Sequence, residues 1–293
     1  MDPALMRMAL ALINLDRDSG RLAHMAQEIA KAGLSFERFP AVQGLAVPEP
    51  LKGWFFDAKG TPIPSLKPGE IGVYASHLAL HQRLLDDPAL DALVVMEDDL
   101  EIAPDLSNVL GAIAERHALE PFDIVRLSNP PKAPVLDLGS LVPGRHFVTY
   151  SRVPNNMGAY LITRAGAEKS LRFEGLRQFA IDEDFRRPWE RGLVTRGVVP
   201  APVRANIFET SSIDAMGARA LGQESLLSKL KRRHWPSPAG LLSQWRWQVT
   251  ELGLGPYLKS ILLGLIHSLA KKMSRPLAAR IASHFLMPKP RSR

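Results

Sequence analysis

The chain has 293 residues, 46% hydrophobic and 23% charged, an ordinary globular composition and enough to bury one large core or two smaller ones. Cysteine is absent, which excludes disulfides, thiolate zinc sites, iron–sulfur clusters and cysteine nucleophiles, and suits a reducing compartment. The net charge of +7 is unevenly spread: residues 216–293 hold 14 Lys+Arg against two acids, Glu224 and Glu251, for +12, so residues 1–215 carry −5.

At the amino end, MRMALALINL has only Arg7 ahead of a short apolar run and turns polar at Asn14. That predicts a buried strand over 8–15 in preference to a signal peptide. Leu22, Met25, Ile29 and Ala32 share one helical face over 19–32, stopped by Gly33. Phe36 and Phe39 suggest a short second strand, and the Pro- and Gly-rich stretch 40–68 reads as a long loop. A helix over 70–85, a buried strand over 90–96 (LDALVVM), a helix from Pro104-Asp105 to His117 and a strand over 122–127 (FDIVRL) follow. Strand, helix, strand, helix, strand is a nucleotide-binding α/β pattern. Residues 128–154, with Pro130, Pro131, Pro134 and Pro143, read as loop; strands over 157–162 and 193–199 then flank a helix over 164–171. Acids nearly vanish after Asp214, which places a domain boundary near 215–220.

The sharpest local feature is Glu97-Asp98-Asp99, directly after the strand LVVM. Ligands of open α/β sheets sit beyond the carboxyl ends of strands. Three adjacent acids there repel one another unless water or a cation relieves them, and Mg²⁺ or Mn²⁺ takes carboxylate oxygen while keeping positions for substrate phosphates. A solvated strand-to-loop junction is the plain alternative. The chain has no G-x-G-x-x-G after its first strand, no G-x-x-x-x-G-K-[ST], no H-E-x-x-H and no G-x-S-x-G. This weakens the cases for NAD enzymes, P-loop NTPases, zincins and α/β-hydrolases.

Several blocks together resemble glycosyltransferase family 25, the lipooligosaccharide galactosyltransferase group with relatives among collagen galactosyltransferases. They are ALINLDRDSGRLAHM, FERFPAVQG, LKPGEIGVYASHLALHQRLL, LDALVVMEDDLEI, DIVRL, MGAYLITRAGAEKSL, AIDEDFRRPW and VPAPVRANIFETS, covering about residues 8–213 in the family's order. The resemblance implies a GT-A-type, Rossmann-like nucleotide-sugar-binding domain over 1–215. It further implies a UDP-hexose donor, galactose favoured, with Mn²⁺ or Mg²⁺, and inverting transfer onto a hydroxyl of a lipooligosaccharide or other surface glycan. Two rivals stand beside this: a Mg²⁺-dependent phosphoryl-transfer enzyme or hydrolase, and a catalytically silent glycan-binding module.

By the same resemblance, Asp99 is the metal ligand with Glu97 beside it, and Glu97 and Asp98 face ribose or the outer coordination sphere. Asp182 is the candidate base, with Asp184 as its fallback; a helix cap is the plain reading of Asp182. Asn14 and Arg17 follow the first strand, where base and ribose would lie. Arg21 matches the second of two paired arginines in the family, the first being Gly20 here. Glu70, Ser76 and His77 form the block before the acidic triplet, and a lone helical histidine is more often a packed, hydrogen-bonded residue. Gly158 and Tyr160 match a Gly-x-Tyr strand, where glycine permits close backbone approach or a simple bulge.

Residues 216–293 read as a basic amphipathic helical extension. Leu258, Ile261, Leu262, Leu265, Ile266, Leu269 and Met273 fall at helical spacing, with Trp235, Trp245 and Trp247 nearby. That composition fits an anionic membrane surface and a peripheral position on its inner, cytoplasmic face. A helical subdomain folded back on the body is the alternative. Lys231-Arg232-Arg233 has no nucleic-acid recognition module around it, so nucleic acid is not an expected partner.

Overall fold

The computed structural model describes residues 6–128, 131–172, 174–205 and 237–288. The chain opens with β1 (Met8–Asn14), α1 (Ser19–Lys31) and β2 (Glu37–Pro40). Short α2 (Glu49–Lys52) and long α3 (Pro68–Asp86) lead to β3 (Ala92–Met96), β4 (Leu100–Ile102), α4 (Leu106–Leu119) and β5 (Ile124–Arg126). A hairpin of β6 (Val135–Val142) and β7 (Arg145–Tyr150) comes next, then β8 (Ala159–Thr163), α5 (Arg164–Leu171), α6 (Ile181–Asp184) and α7 (Pro188–Arg191). After β9 (Thr195–Val199) and β10 (Val203–Ala205), the last described elements are α8 (Pro238–Leu252), α9 (Leu254–Met273), α10 (Arg275–Ala282) and β11 (Leu286–Met287).

Nine strands form one mixed sheet in the order β11-β6-β7-β9-β5-β8-β3-β1-β2, while β10 pairs antiparallel with β4. Strands β2, β1 and β3 are parallel, and β8 lies antiparallel between β3 and β5. Alternation along β1 assigns its two faces: Ala11 and Ile13 join the core under α3, whereas Leu10 and Leu12 join the core under α1 and α4. Helices on both faces of a largely buried sheet make three layers, the α/β class that the sequence pattern indicates. Helix α3 is the most deeply set, because it runs across one face with Ile71, Tyr74, Leu78 and Leu84 fully buried. Pro68 sits at its first turn, and the Glu70 carboxylate accepts from the Lys67 backbone N–H at 2.7 Å, fixing where it starts.

Two segments depart from the sequence reading. The stretch taken as loop over 128–154 contains the β6–β7 hairpin; its prolines flank the strands or sit in the turn, where Gly144 has φ 78°. Gly139 at φ 121° accompanies a register shift between Asp137 and Gly139, which breaks the alternation that would mark a strand. The 40–68 loop also contains α2. The boundary placed near 215–220, Lys231-Arg232-Arg233 and Trp235 lie outside the described residues.

The basic extension is not detached from the sheet among the described residues. Strand β11 adds to it in parallel beside β6, and Leu252 and Met287 pack with Leu136. On α8, Glu251 pairs with the buried Arg196 of β9, and Gln248 donates to the Ser151 carbonyl at 2.7 Å.

Candidate active site

Strand pairing alone brings the acidic triplet to the carboxyl end of β3, next to the carboxyl end of β1. Register Leu12↔Met96 puts Asn14 beside the triplet, and Met96↔Ala159 puts Gly158 against Glu97. The Glu97 N–H donates to the Gly158 carbonyl at 2.8 Å, so Gly158 here fixes the backbone of the triplet.

Asp98 is held from two sides. Asn14 Nδ2 donates to it at 2.7 Å and Arg21 at 3.1 Å. Asn14 is in turn oriented by Arg38, whose Nε donates to Asn14 Oδ1 at 3.1 Å. Burial pushes the Asp98 carboxyl up, and the bonds from Asn14 and Arg21 oppose that. Asp99 has no comparable support: its Oδ1 is buried without a hydrogen-bond partner. Burial, then the neighbouring Glu97, pushes its carboxyl up to about 6. A carboxylate oxygen that is dry, unpartnered and crowded by like charge is a group that a cation would stabilise.

Behind Glu97 runs a fully buried polar chain. His77 Nε2 lies 3.4 Å from the Glu97 carboxylate, and His77 Nδ1 lies 2.9 Å from the Tyr160 hydroxyl. That hydroxyl is also 2.8 Å from His81 Nε2, and His81 Nδ1 is 2.8 Å from Ser170 Oγ. Ser170 donates its own proton to the Ala167 carbonyl, which leaves its oxygen to accept from His81 Nδ1–H. His81 Nε2 is then the acceptor for the Tyr160 O–H, and Tyr160 accepts from His77 Nδ1–H. Burial holds His81 well below the ordinary histidine range, in keeping with a neutral ring. The chain ends at His77 Nε2, which is buried without a hydrogen-bond partner beside the Glu97 carboxylate. Ser76, His77 and Tyr160 have no exposed surface, so they support the site from behind and do not meet a ligand.

Arg126, at the end of β5, is buried and donates to the carbonyls of Pro154 and Asn156, the latter residue at φ 83°. Its charge acts on Asp182 and Glu97, which ties these groups to one neighbourhood. Asp182, on α6, is partly buried; that burial raises its carboxyl, and Oδ1 accepts from the Glu183 N–H at 2.8 Å.

Other candidate residues lie elsewhere or do structural work. Asp184 is buried in an ion cluster, accepting from Arg191 at 2.5 Å and from Tyr74, with Arg177 at 3.8 Å. That commits its carboxylate and removes it as a second base. Ser76 Oγ accepts from Val42 N–H and donates to the Gly72 carbonyl, and Glu70 caps α3. Arg17 is exposed near Asp18 at 3.9 Å. The sequence reading did not single out Arg126, His81, Arg38 or Asn156. His81 stands four residues after His77, one helical turn on the same face, which is a readable signal.

Among the described residues no group of three or more His, Asp or Glu side chains converges on one point. Glu97 and Asp99 remain as a pair, which is the number of carboxylates that Mg²⁺-type ions commonly use when substrate phosphates supply other ligands. A cavity of about 600 Å³ lined by Met8, Leu34, Phe36 and Leu110 sits toward the amino ends of β1 and β2, away from these acids.

A three-layer α/β sheet with acids clustered beyond a central strand defines the class of open α/β proteins, whose ligands sit at the carboxyl ends of strands. Within it, the chain matches the model of glycosyltransferase family 25 (LPS biosynthesis protein) over residues 8–183, and it belongs to that family. A candidate glycosyltransferase of Haemophilus influenzae is 27% identical over 99 residues, 34% of this chain and 35% of that protein, so the chain spans about a third of that relative's length. Among solved structures, A197 from STIV aligns at TM-score 0.36 and 14% identity over 66% of this chain and 81% of its own. A Drosophila β1,4-galactosyltransferase 7 variant, solved with manganese, UDP-Gal and xylobiose, aligns at TM-score 0.32 and 13% identity, covering 78% and 80% of the two chains.

Proposed function

We propose that the chain is a glycosyltransferase that moves a hexose, galactose favoured, from a UDP-sugar to a hydroxyl of a lipooligosaccharide or other surface glycan, with inversion. The observation that carries this reading is Asp99: a buried, unpartnered carboxylate oxygen beside Glu97 at the carboxyl end of a central strand, in a chain of family 25. The residues fit a divalent cation, with Asp99 and Glu97 as its protein ligands. When bound, such an ion supplies charge to neutralise the leaving diphosphate.

This chain's own groups divide the remaining work. Asp98, fixed by Asn14 and Arg21, is an oriented acceptor for sugar or ribose hydroxyls. The His77–Tyr160–His81–Ser170 chain backs Glu97, with His77 Nε2 at 3.4 Å from its carboxylate. Asp182, its basicity raised by burial, takes the proton of the acceptor hydroxyl as that oxygen bonds to the anomeric carbon and the bond to UDP breaks.

The test is a panel of UDP-hexoses with Mn²⁺, read by thermal shift and by transfer to a glycan acceptor. UDP-galactose should stabilise the chain in a Mn²⁺-dependent way, and Asp99→Asn should lose that stabilisation. Asp182→Asn should keep it while turnover falls by about 10²–10⁴. Hydrolysis of the donor at the same rate with or without acceptor would point instead to a hydrolase. Stabilisation by glycan alone, with no turnover, would point to a silent binding module.

A further inference from the structure

Helix α9 faces two ways. Ser260 and Ala270 are buried against the rest of the chain, yet Leu258, Ile261, Leu262, Leu265, Leu269 and Met273 recur at helical spacing and are all exposed. An apolar stripe of that length on an outer surface marks an interaction face. Its surroundings are one-signed. Residues 237–288 contain six Lys and Arg and one acid, Glu251, whose carboxylate is already committed to Arg196 and Thr149.

Beneath the stripe lies a groove of about 410 Å³ between α9 and the sheet, lined by Lys132, Arg152, Lys271, Ser268, Ile261 and Leu265. Lys132 and Arg152 also line an adjoining cavity of about 110 Å³ with Arg186, Asn155 and Pro154. Among the described residues neither Lys132, Arg152 nor Lys271 forms an ion pair; Glu183, which acts on Arg152, is itself held by Arg186 and Arg187. Ile261 and Leu265 belong both to the groove and to the exposed stripe, so cationic and apolar surfaces meet at one edge.

We propose that this groove and the outer face of α9 form a single docking surface for an anionic lipid bilayer, with lipid phosphates taken between Lys132, Arg152 and Lys271. Charge complementarity selects an anionic surface, and the length of the apolar stripe selects one with hydrocarbon beneath it. On this proposal the helix lies in the interface. No single helix among the described residues is long and apolar enough to span a membrane; α8 and α9 reach that length and apolarity only together, bent by 111°, and α8 is pinned to the sheet by Glu251 and Gln248. The adjoining cavity reaches Arg186, four residues beyond Asp182, and Pro154, whose carbonyl accepts from Arg126. The proposal does not depend on the reaction assigned above, because it is read by lipid binding alone.

The full chain is sedimented with phosphatidylcholine vesicles with and without phosphatidylglycerol. Binding should require phosphatidylglycerol, and Lys132→Gln/Arg152→Gln/Lys271→Gln should weaken it about a hundredfold, since each basic residue contributes roughly fivefold near an anionic surface. Leu258→Ser/Leu262→Ser, at exposed positions that leave the core intact, should weaken it as well. Excess inorganic phosphate at constant ionic strength should not release the protein. Release by phosphate would assign the groove to a soluble phosphate-bearing ligand and overturn the proposal. So would wild-type binding by either variant, or no preference for phosphatidylglycerol.

Discussion

At Asp99 burial and the Glu97 charge act in the same direction, raising its carboxyl to about 6 from the ordinary value of about 3.9. The folded chain therefore favours the protonated form. The resulting stability is complete below pH about 4 and is lost as pH rises through 6. In chelator, Asp99→Asn should be as stable as wild type at the acid end and more stable above pH 7, by about 1–2 kcal/mol once solvent screening of a partly exposed site is counted. Urea midpoints across pH 4–8 measure this. Mn²⁺ should reverse the order, because only the wild type retains the ligand. Parallel curves for the two proteins would show that Asp99 is not crowded, and would remove the case for a cation there. A second prediction concerns Tyr160, whose hydroxyl satisfies two buried imidazoles. Tyr160→Phe leaves His77 and His81 each short of a partner and should cost about 2–3 kcal/mol in urea unfolding. A loss below about 1 kcal/mol would mean that the histidines are satisfied without it.

The elements differ in how openly the sequence announces them, and the reason is local in each case. Helix α1 is legible because one buried face imposes a clear period on its apolar residues, and strand β3 because it is buried throughout and reads as a continuous apolar run. Strands β6 and β7 are hidden because a bulge at Gly139 shifts the alternation and the prolines around them look like loop signals. The acidic triplet is legible as three adjacent charges, whereas the chain from His77 to Ser170 behind it is assembled from α3, β8 and α5 by tertiary packing. Arg126 reads only as the end of an apolar strand, and nothing local shows that it reaches Asn156. Helix α3 also supplies an element-scale test. A Cβ at Gly72 would lie 2.5 Å from the Val42 carbonyl and 2.7 Å from the Gly44 nitrogen, so the glycine lets the loop after β2 press onto the helix. Gly111, inside α4, has nothing within 4 Å. Gly111→Ala should gain about 0.5–1 kcal/mol from helix propensity. Gly72→Ala should instead lose about 1–3 kcal/mol, because overpacking against backbone exceeds the same propensity gain. Equal effects at both sites would show that the loop yields freely.

Over the whole molecule, the uneven charge of the chain has a structural counterpart, because the basic extension uses its one described acid as an anchor. Glu251 of α8 meets Arg196, a buried arginine in β9 next to Gly197, which is paired in register with Arg126 of the site. Arg196 has a second carboxylate, Glu120 of the α4 end, only at 3.4 Å. Removing Glu251 therefore leaves a buried guanidinium with only the longer Glu120 contact as its carboxylate partner, and such a break costs about 3 kcal/mol. The helices beyond 236 also contribute Leu252 and Met287 to the sheet-side cluster around Leu136, and Trp247 packs beside Trp189 at 5.9 Å. Two outcomes can be told apart by calorimetry of Glu251→Ala. If α8 to β11 and the sheet unfold together, the variant shows one transition, displaced to lower temperature as a whole. If they are separable units, a small early transition splits away and the main one keeps its wild-type position. The buried pair, the added strand and the shared cluster all favour the single displaced transition. On that outcome the exposed apolar face of α9 is rigidly coupled to the sheet whose β3 leads into Glu97 and Asp99.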